Sequence, residues 1–318
     1  MNALVLAGAT ATGKTAVCQL LAERMGAAIL SFDAMLVYKG MDIGTAKPTP
    51  EERRRVPYLG IDLFTPAETS NAALWLAGVK RQLAELPAGT PLIATGGTGL
   101  YLRALLAPFD APPPSPESRA RWQGVFETNG LPALQNALRE RLAPGACDAL
   151  PDFKNPRRVM RLLERLDAGE DPAQKKQSPL PAIITLNMPR ELLHPRITNR
   201  VRAMAANGLV DEVRRLRDAY PVWSDTARAA IGYDEIADHL DGRSSLETAL
   251  ERIMVRTRQY AKRQCAWLRH QTRPVWIDTT PAEPLEQLAG RVTAAWQQHG
   301  AVPLPGCFSH AETRRRGE

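Results

Sequence analysis

The first seventeen residues, MNALVLAGATATGKTAV (Met1–Val17), decide the fold. Residues 3–6 are an apolar run long enough for a buried parallel strand, and the segment from Lys14 to Met25 carries apolar side chains at helical spacing. Between them, GATATGKT (Gly8–Thr15) fits the pattern G-x-x-x-x-G-K-[ST]. A glycine-rich turn between strand and helix aims backbone N–H groups and the positive end of the helix dipole at an anion.

We therefore predict a phosphate loop, a term used below for residues 8–15. The Lys14 ammonium would reach the terminal phosphate, and the Thr15 hydroxyl would lie near a bound Mg²⁺. A plain glycine turn that only joins strand to helix is the alternative, although both glycines and the Lys-Thr pair argue against it. The residues expected to hold phosphate are Gly8, Ala9, Thr10, Ala11, Thr12, Gly13, Lys14 and Thr15.

The composition is that of a globular protein. The 318 residues are 44% hydrophobic and 24% charged, enough for one large or two smaller domains. The four cysteines form no C-x-x-C pair, which argues against a zinc site or a disulfide framework and suits a reducing cytoplasm. We expect no signal peptide, because the first strand begins at once, and no membrane span. We expect a cytoplasmic monomer, since no coiled-coil heptad is visible.

The net charge of +7 is unevenly distributed. Residues 1–100 contain nine Lys/Arg and eight Asp/Glu, whereas residues 251–275 contain seven Lys/Arg and one Glu. A basic cluster of this density is either a solvated helix face or a surface that binds a polyanion. The charge alone leaves both interpretations open.

Strands and helices alternate over residues 1–106, in the pattern of an open α/β sheet. Further strands are predicted at residues 27–32, which end at Asp33, and at residues 91–95, which run into the glycine turn 96–99. Ligands bind beyond the carboxyl ends of the strands in such sheets. The phosphate loop, Asp33 and the glycine turn should therefore line one cleft.

A proline-dense segment, residues 108–116, interrupts this pattern. From there to a second proline-containing stretch the sequence predicts only helices, at 115–126, 131–142 and 156–169, and a strand resumes at residues 182–188. The predicted fold class is α/β, with a P-loop NTPase-like parallel sheet core and a helical insertion domain. The predicted domains are a core of residues 1–111 and 181–300, an insertion of residues 112–180 and a flexible tail of residues 301–318.

Asp33 ends an apolar strand beside the phosphate loop, where an acidic residue has two ordinary roles. It could hold Mg²⁺ through water, or it could be the general base for a nucleophile that faces the phosphates. Its position does not separate these roles. The aperiodic residues 39–48 predict either an ordered loop over the cleft, with Lys47 as a further anion contact, or a plain crossover loop.

Five segments occur in order: GATATGKT, SFDAMLVYKGMDIGTAKP (31–48), GGTGLYLRALL (96–106), RAAIGYDE (228–235) and RQYAKRQCAWLR (258–269). Together, over about residues 4–280, they resemble the tRNA dimethylallyltransferase family. The resemblance implies that the phosphate loop holds dimethylallyl diphosphate with Mg²⁺ as cofactor. It implies transfer of the dimethylallyl group to N6 of the adenosine 3′-adjacent to the anticodon, in tRNAs reading codons that begin with U, with release of diphosphate.

The same resemblance implies catalytic roles for three residues: Asp33 as the base, Thr98 as a group near the reacting centre and Arg228 as a ligand of the leaving diphosphate. Contacts with the tRNA anticodon stem-loop are implied for Asp33, Ala34, Met35, Leu36, Thr98, Arg119, Pro156, Arg157, Arg158, Arg228, Gly232, Tyr233, Lys262, Arg263, Gln264, Trp267 and Arg269. From the residues alone, Trp267 is also a candidate for core packing and Arg228 for a helix surface.

The sequence departs from the family pattern at Ala9 and Thr12, without effect on the backbone that holds phosphate, and at three further places. Ala34 replaces a common serine, which removes a hydroxyl contact to the base. Residues 155–158 (N-P-R-R) replace D-P-Q-R and add charge there. Asp234 stands where a basic residue is usual.

Two other functions fit parts of the chain. A small-molecule P-loop kinase would use the insertion as a lid and Asp33 to activate a hydroxyl, but it gives the basic residues 251–270 no role. An NTP-dependent RNA-binding switch would use both the phosphate loop and the basic segment without covalent change to the RNA. Phosphate transfer from ATP would identify the first, and nucleotide-sensitive RNA affinity the second.

Overall fold

The computed structural model describes residues 1–107, 115–143, 145–149, 153–170 and 180–307. The chain divides into two compact units, one of Met1–Phe109 with Pro179–Glu318 and the other of Asp110–Ser178. The insertion predicted from the sequence spans residues 112–180. Most of the two predicted proline connectors (108–114 and 171–179) and the end of the predicted tail (308–318) lie outside the described residues.

The described residues contain seven strands and twelve α-helices. The strands are β1 (Asn2–Gly8), β2 (Ala28–Ser31), β3 (Tyr58–Leu59), β4 (Leu92–Gly96), β5 (Ala182–Asn187), β6 (Arg273–Asp278) and β7 (Val302–Pro303). The helices are α1 (Lys14–Met25), α2 (Pro50–Arg55), α3 (Ala72–Glu85), α4 (Gly99–Leu106), α5 (Pro116–Arg141), α6 (Pro156–Asp167), α7 (Arg190–Ala206), α8 (Leu209–Ala219), α9 (Asp225–Arg228), α10 (Tyr233–Leu240), α11 (Leu246–Gln271) and α12 (Leu285–His299).

The central sheet has the strand order β3-β2-β4-β1-β5-β6, and these six strands are parallel. The predicted α/β fold with a parallel sheet is therefore confirmed. Strands β2, β4 and β1 are neighbours, so their carboxyl ends lie at one edge of the sheet. The residues that follow these three strands are Asp33, the glycine turn and the phosphate loop, which explains how distant segments reach one cleft.

The sheet is buried on both faces, which is why its strands are continuous apolar runs. Alternate residues of β1 serve the two faces: Val5 belongs to the cluster that contains Trp75 of α3, and Leu6 to the cluster that contains Val17 of α1 and Trp296 of α12. The Trp296 indole N–H donates to the Val5 carbonyl (3.1 Å), which ties α12 to the central strand.

Helix α2 and strands β3 and β7 were not predicted. Strand β7 lies within residues 301–318, which were predicted as a flexible tail. Residues 301–307 are ordered against the core: Val302 pairs with Ala3 in an antiparallel bridge, and Leu304 and Cys307 are buried. The apolar side chains explain this packing, because they cover the start of β1. Helix α2 carries a sequence signal that was overlooked, a capping box formed by Thr49 and Glu52.

The second unit has its own apolar core. Helix α5 is broken at Gly130, whose φ of 71° and ψ of −171° are not helical, at the place where two separate helices were predicted. Trp122, Leu134 and Leu138 of α5 pack with residues of α6. The Trp122 indole N–H donates to Asp167 Oδ2 (2.7 Å), which joins the two helices by a polar contact.

Gly99 should be intolerant of a side chain, because an added Cβ would lie 2.1 Å from the Trp267 ring. We expect Gly99→Ala to lower the free energy of unfolding by about 1–3 kcal/mol, as overpacking does. Gly290, exposed in α12 with nothing near its Cβ position, is the matched control: Gly290→Ala should stabilise by about 0.5–1 kcal/mol. Urea unfolding followed by circular dichroism checks both, and equal stability of Gly99→Ala and the parent would contradict the packing.

Candidate active site

The phosphate loop connects β1 to α1 and needs its glycines. Gly8 has a φ of 150° and Gly13 a φ of 100°, and a Cβ at Gly8 would lie 2.7 Å from the Leu186 carbonyl oxygen. The buried Thr12 hydroxyl donates to the Ala9 carbonyl (2.8 Å). This hydrogen bond stabilises the loop conformation without a ligand.

Lys14 is the cation of the loop. Its Nζ donates to the Ala9 carbonyl (2.6 Å). Burial lowers the pKa of the Lys14 ammonium to about 8, while the Asp33 carboxylate opposes this shift and the Arg200 guanidinium adds to it. The ammonium is therefore mostly charged at neutral pH, close to its titration range.

Asp33 is the second residue after β2, and its segment lies beside Thr98. Its Oδ1 accepts the Met35 N–H (2.9 Å), and its own N–H donates to Ser31 Oγ (3.3 Å). The Ala34 N–H donates to Thr98 Oγ1 (3.0 Å). The structure therefore brings together Asp33 and Thr98, as the sequence predicted. The segment 34–36 that continues from Asp33 is half-buried.

Helix α11 lies across this edge of the sheet. The Thr10 N–H of the phosphate loop donates to Gln264 Oε1 (2.8 Å), and the Tyr260 hydroxyl lies 3.5 Å from Thr98 Oγ1. Burial raises the pKa of Tyr260 to about 12, and the nearby Asp33 carboxylate adds to the rise. The phenol is therefore protonated at neutral pH.

Two glycines that follow β4 allow helix α11 to pack closely against this turn. A Cβ at Gly97 would lie 2.0 Å from Gln264 Nε2, and one at Gly99 would meet the ring of Trp267. Trp267 is half-buried against the core, which favours packing as its role. Helix α11 also exposes the basic side chains of Lys262, Arg263 and Arg269.

Two arginines of α7 reach the phosphate loop and were not predicted. Arg196 Nε donates to the Ala11 carbonyl (3.0 Å). Arg200, one turn further, lies near Lys14 and Asp33: burial lowers the pKa of Arg200, the Asp33 carboxylate opposes this, and Arg196 adds to it. Arg200 forms no hydrogen bond or ion pair with any other described side chain. The i, i+4 spacing of Arg196 and Arg200 was the available signal, but it does not say which way the helix faces.

Three of the residues predicted to touch tRNA, Gly232, Tyr233 and Gln264, are buried. Gly232 lies at the start of α10, and Tyr233 is only 1% exposed, with its hydroxyl donating to Glu212 (2.7 Å). Gln264 is 5% exposed, and its carbonyl oxygen is engaged by the phosphate loop. The Tyr233 and Gln264 side chains therefore form hydrogen bonds within the protein, and the contacts of all three residues with tRNA stay a prediction.

Lys47 also has a different role from the one predicted. Its Nζ lies 2.7 Å from Asp42 Oδ1 and 2.7 Å from Asp62 Oδ1, and it donates to the Tyr38 carbonyl (2.6 Å). The side chain is buried, so it is unavailable to a bound anion. Residues 39–48 form a loop without helix or strand, in which Lys47 is buried.

Arg228, at the end of α9, is paired with the residue that departs from the family pattern. Its Nε lies 3.5 Å from Asp234 Oδ1, and both side chains are exposed. The two residues line a cavity of about 930 Å³ that α8, α10 and α11 border. The phosphate loop is not among the residues that line this cavity.

In the second unit, the predicted RNA contacts lie on α5 and α6. Arg119 Nε donates to Glu164 Oε1 (3.1 Å). Asn155 caps α6 by accepting the N–H groups of Arg157 (3.1 Å) and Arg158 (3.4 Å), whose side chains are exposed, and Pro156 is the first helical residue. Asparagine and aspartate cap helices about equally well, so this departure from the family pattern keeps the helix start.

Metal binding at this site would depend on few protein ligands. Among the described residues, no group of three or more His, Cys, Asp and Glu is placed to hold a metal ion. A Mg²⁺ ion keeps several waters and takes oxygens from substrate phosphates, so the exposed Thr15 hydroxyl at the start of α1 fits that ion. None of the described helices is long and apolar enough to cross a membrane.

Comparison with known proteins gives one family. A family model described as IPP transferase matches residues 36–271, and one described as Isopentenyl transferase matches residues 1–59. A tRNA dimethylallyltransferase of Anaeromyxobacter dehalogenans is 40% identical over 301 residues, covering 92% of this chain and 99% of that protein. Another, from Thermus thermophilus, is 43% identical over 274 residues, covering 84% of this chain and 89% of that protein.

Solved structures agree with this similarity. The full-length tRNA isopentenylpyrophosphate transferase of Bacillus halodurans has a TM-score of 0.65 and 32% identity, covering 93% of this chain and 97% of that one. A eukaryotic dimethylallyltransferase, solved acting on tRNA, has a TM-score of 0.76 and 23% identity, covering 93% of this chain and 78% of that one. The second likeness concerns the fold alone.

The lowered pKa of Lys14 predicts that diphosphate binding weakens in alkali. The ammonium form attracts phosphate oxygens, so affinity should be highest below about pH 8 and fall above it, by up to about tenfold per pH unit. Calorimetric titration with magnesium diphosphate from about pH 6.5 to about 9.5 measures this. Because diphosphate also titrates, Lys14→Arg is the control: it should keep its charge and lose the added decline. Identical profiles for the two proteins would contradict the assignment.

Proposed function

This chain belongs to the IPP transferase family of tRNA dimethylallyltransferases, and from that membership and the site we infer its reaction. It transfers the dimethylallyl group of dimethylallyl diphosphate to N6 of the adenosine 3′-adjacent to the anticodon, in tRNAs reading codons that begin with U. The products are N6-(dimethylallyl)adenosine in tRNA and diphosphate. Neither a small-molecule kinase nor an RNA-binding switch is needed to explain the phosphate loop.

One observation carries the assignment of chemistry: the Asp33 carboxylate stands beside the cations of the phosphate site. Lys14 and Arg200 both interact electrostatically with Asp33. Prenyl transfer to an amine needs this arrangement, because a proton must leave the nucleophile while negative charge collects on the departing diphosphate. A carboxylate and an anion cradle at one strand edge serve both needs.

The proposed chemical step is an alkylation of adenine N6. The adenine N6 lone pair forms a bond to C1 of the dimethylallyl group, and the C1–O bond breaks with its electron pair going to diphosphate. Asp33 takes the N6 proton, which contributes about 10²–10⁴-fold to the rate. The phosphate loop N–H groups, Lys14 and Arg200 stabilise the charge on the leaving oxygens. The Thr15 hydroxyl would hold a Mg²⁺ ion at this place, and the ion would supply further positive charge to the leaving oxygens.

Thr98 and Tyr260 orient the nucleophile side of the site. Thr98 Oγ1 accepts the Ala34 N–H, which leaves its own proton free to donate to the adenine or to the diphosphate. The Tyr260 hydroxyl lies next to it and is protonated. In the proposed reaction Arg228 binds the leaving diphosphate with guanidinium N–H groups other than the Nε–H that faces Asp234.

The exposed basic side chains supply contacts with the tRNA phosphates. In the first unit these are Lys262, Arg263 and Arg269 of α11, and in the second unit Arg119, Arg157 and Arg158. The target adenosine must leave its stack to reach Asp33, at a cost of a few kcal/mol that is smaller in a loop than in a duplex.

The reaction and the role of Asp33 are tested together. Purified protein, labelled dimethylallyl diphosphate and a tRNA reading a U-initial codon should yield labelled tRNA, and Asp33→Asn should lower kcat by about a hundredfold or more. Asp211→Asn, which removes an exposed carboxylate of α8 paired with Arg214, is the matched control and should leave the rate unchanged. Absence of labelled RNA from the folded parent would reject the function, and near-parental turnover of Asp33→Asn would reject the base.

Arg200→Gln tests the unpredicted cation. Removing a charged hydrogen-bond donor from the diphosphate should raise KM for dimethylallyl diphosphate by about tenfold or more, because such bonds contribute roughly 1.5–3 kcal/mol. The Kd for tRNA should equal that of the parent protein. Arg190→Gln, an exposed position on the same helix, is the control for loss of one positive charge. Equal KM values for the two variants would contradict a contact between Arg200 and the diphosphate.

A further inference from the structure

A buried hydroxyl cluster joins two segments of the site that are far apart in sequence. The hydroxyl of Tyr38, a fully buried residue, lies 2.7 Å from Thr226 Oγ1 and 2.9 Å from Ser70 Oγ. The Ser70 N–H also donates to Thr226 Oγ1 (3.1 Å). Tyr38 comes five residues after Asp33, and Thr226 comes two residues before Arg228. The cluster therefore links the segment that carries Asp33 to the segment that carries Arg228.

A buried carboxylate joins the same two segments a second time. Glu212 of α8, 3% exposed, accepts the backbone N–H groups of Asp42 (3.1 Å), Ile43 (2.7 Å) and Gly44 (3.1 Å). It also accepts the Tyr233 hydroxyl (2.7 Å), and burial beside this carboxylate raises the pKa of Tyr233 well above its usual range. Three backbone donors and one phenol thus meet on one side chain.

The contact between the segments is close enough to need a glycine. A Cβ at Gly44 would lie 2.7 Å from the Tyr233 ring. The loop after Asp33 and the start of α10 are therefore in direct contact, with Glu212 satisfying the polar groups at this contact. A buried network whose members are all bonded specifies a single geometry, because each alternative leaves a donor or acceptor without a partner.

We propose that Tyr38, Ser70, Glu212, Thr226 and Tyr233 form a buried clamp that positions Asp33 relative to the segment 226–233. The proposal rests on the function inferred above. None of these side chains touches the reacting atoms, so they are positioning residues. The clamp explains why the buried Tyr233 lies in a segment that resembles a substrate-binding motif: it contributes through loop 33–48 and not through RNA.

The clamp should affect the chemical step more than binding. The phosphate loop, Lys14 and Arg200 lie outside it, so the donor should still bind. Arg228 lies in the positioned segment but is assigned to the leaving diphosphate, so its displacement would also act on the chemical step. The base would shift, and a displacement of about 1 Å at a reacting group costs about a hundredfold in rate. A residue that only supports the fold would instead lower stability and leave kcat of the folded fraction unchanged.

The test is a double-mutant cycle on the Tyr38–Thr226 bond. Tyr38→Phe and Thr226→Val should each lower kcat by about tenfold or more, with KM for dimethylallyl diphosphate and Kd for tRNA within about twofold of the parent. The double variant should be little worse than the poorer single one, because both remove the same link. Thr226→Ser, which keeps the hydroxyl, should restore most of the rate.

Tyr58→Phe is the matched control. It removes a half-buried phenol's hydrogen bond to Gln19 Oε1 (2.5 Å) that belongs to neither segment, so it should lower stability and leave kcat unchanged. Parental kcat in folded Tyr38→Phe and Thr226→Val, or an equal loss in Tyr58→Phe, would overturn the clamp. If Tyr38→Phe does not fold, Tyr233→Phe is measured in its place and read in the same way. An inactive parent would overturn the proposed function itself, which keeps the two failures distinct.

Discussion

The packing of α11 across two glycines is the constraint on which the site depends. Gly97 and Gly99 have no side chains, and the space where a Cβ would stand is filled by Gln264 and by the ring of Trp267. This approach places Gln264 on the phosphate loop and Tyr260 beside Thr98. Bulkier residues in the turn would move the helix outward and remove the contacts together. The glycine turn is therefore part of the phosphate site without touching phosphate.

The sheet and the cleft could be predicted because their signals are local. The apolar run before Gly8, the glycine-rich turn and the helical spacing after Lys14 each decide a few neighbouring residues, and strand order then brings Asp33 and Thr98 to one edge. The arginines of α7 could not be found in this way. Both faces of that helix carry charge, so only its packing against the sheet decides that Arg196 and Arg200 face the phosphate loop.

For some polar residues of the motifs, the sequence does not separate a contact with substrate from a contact within the fold. Tyr233, Gln264 and Lys47 are polar residues in segments that resemble substrate-binding motifs, yet each is buried and bonded within the protein. A functional contact and a structural contact preserve a residue type equally well, so sequence alone does not separate them. Burial separates them, because a hydrogen-bonded side chain without exposed surface has no donor or acceptor left for a substrate.

The crowding of cations around the phosphate loop has a consequence for the protein as a whole. Arg200 is repelled by both Lys14 and Arg196, and the Asp33 carboxylate attracts Lys14 and Arg200. Any diphosphate that enters relieves this repulsion, and a ligand that binds only the native state stabilises it by mass action. Unfolded molecules are what cellular proteases remove. The amount of this enzyme in a cell should therefore follow the supply of its isoprenoid donor.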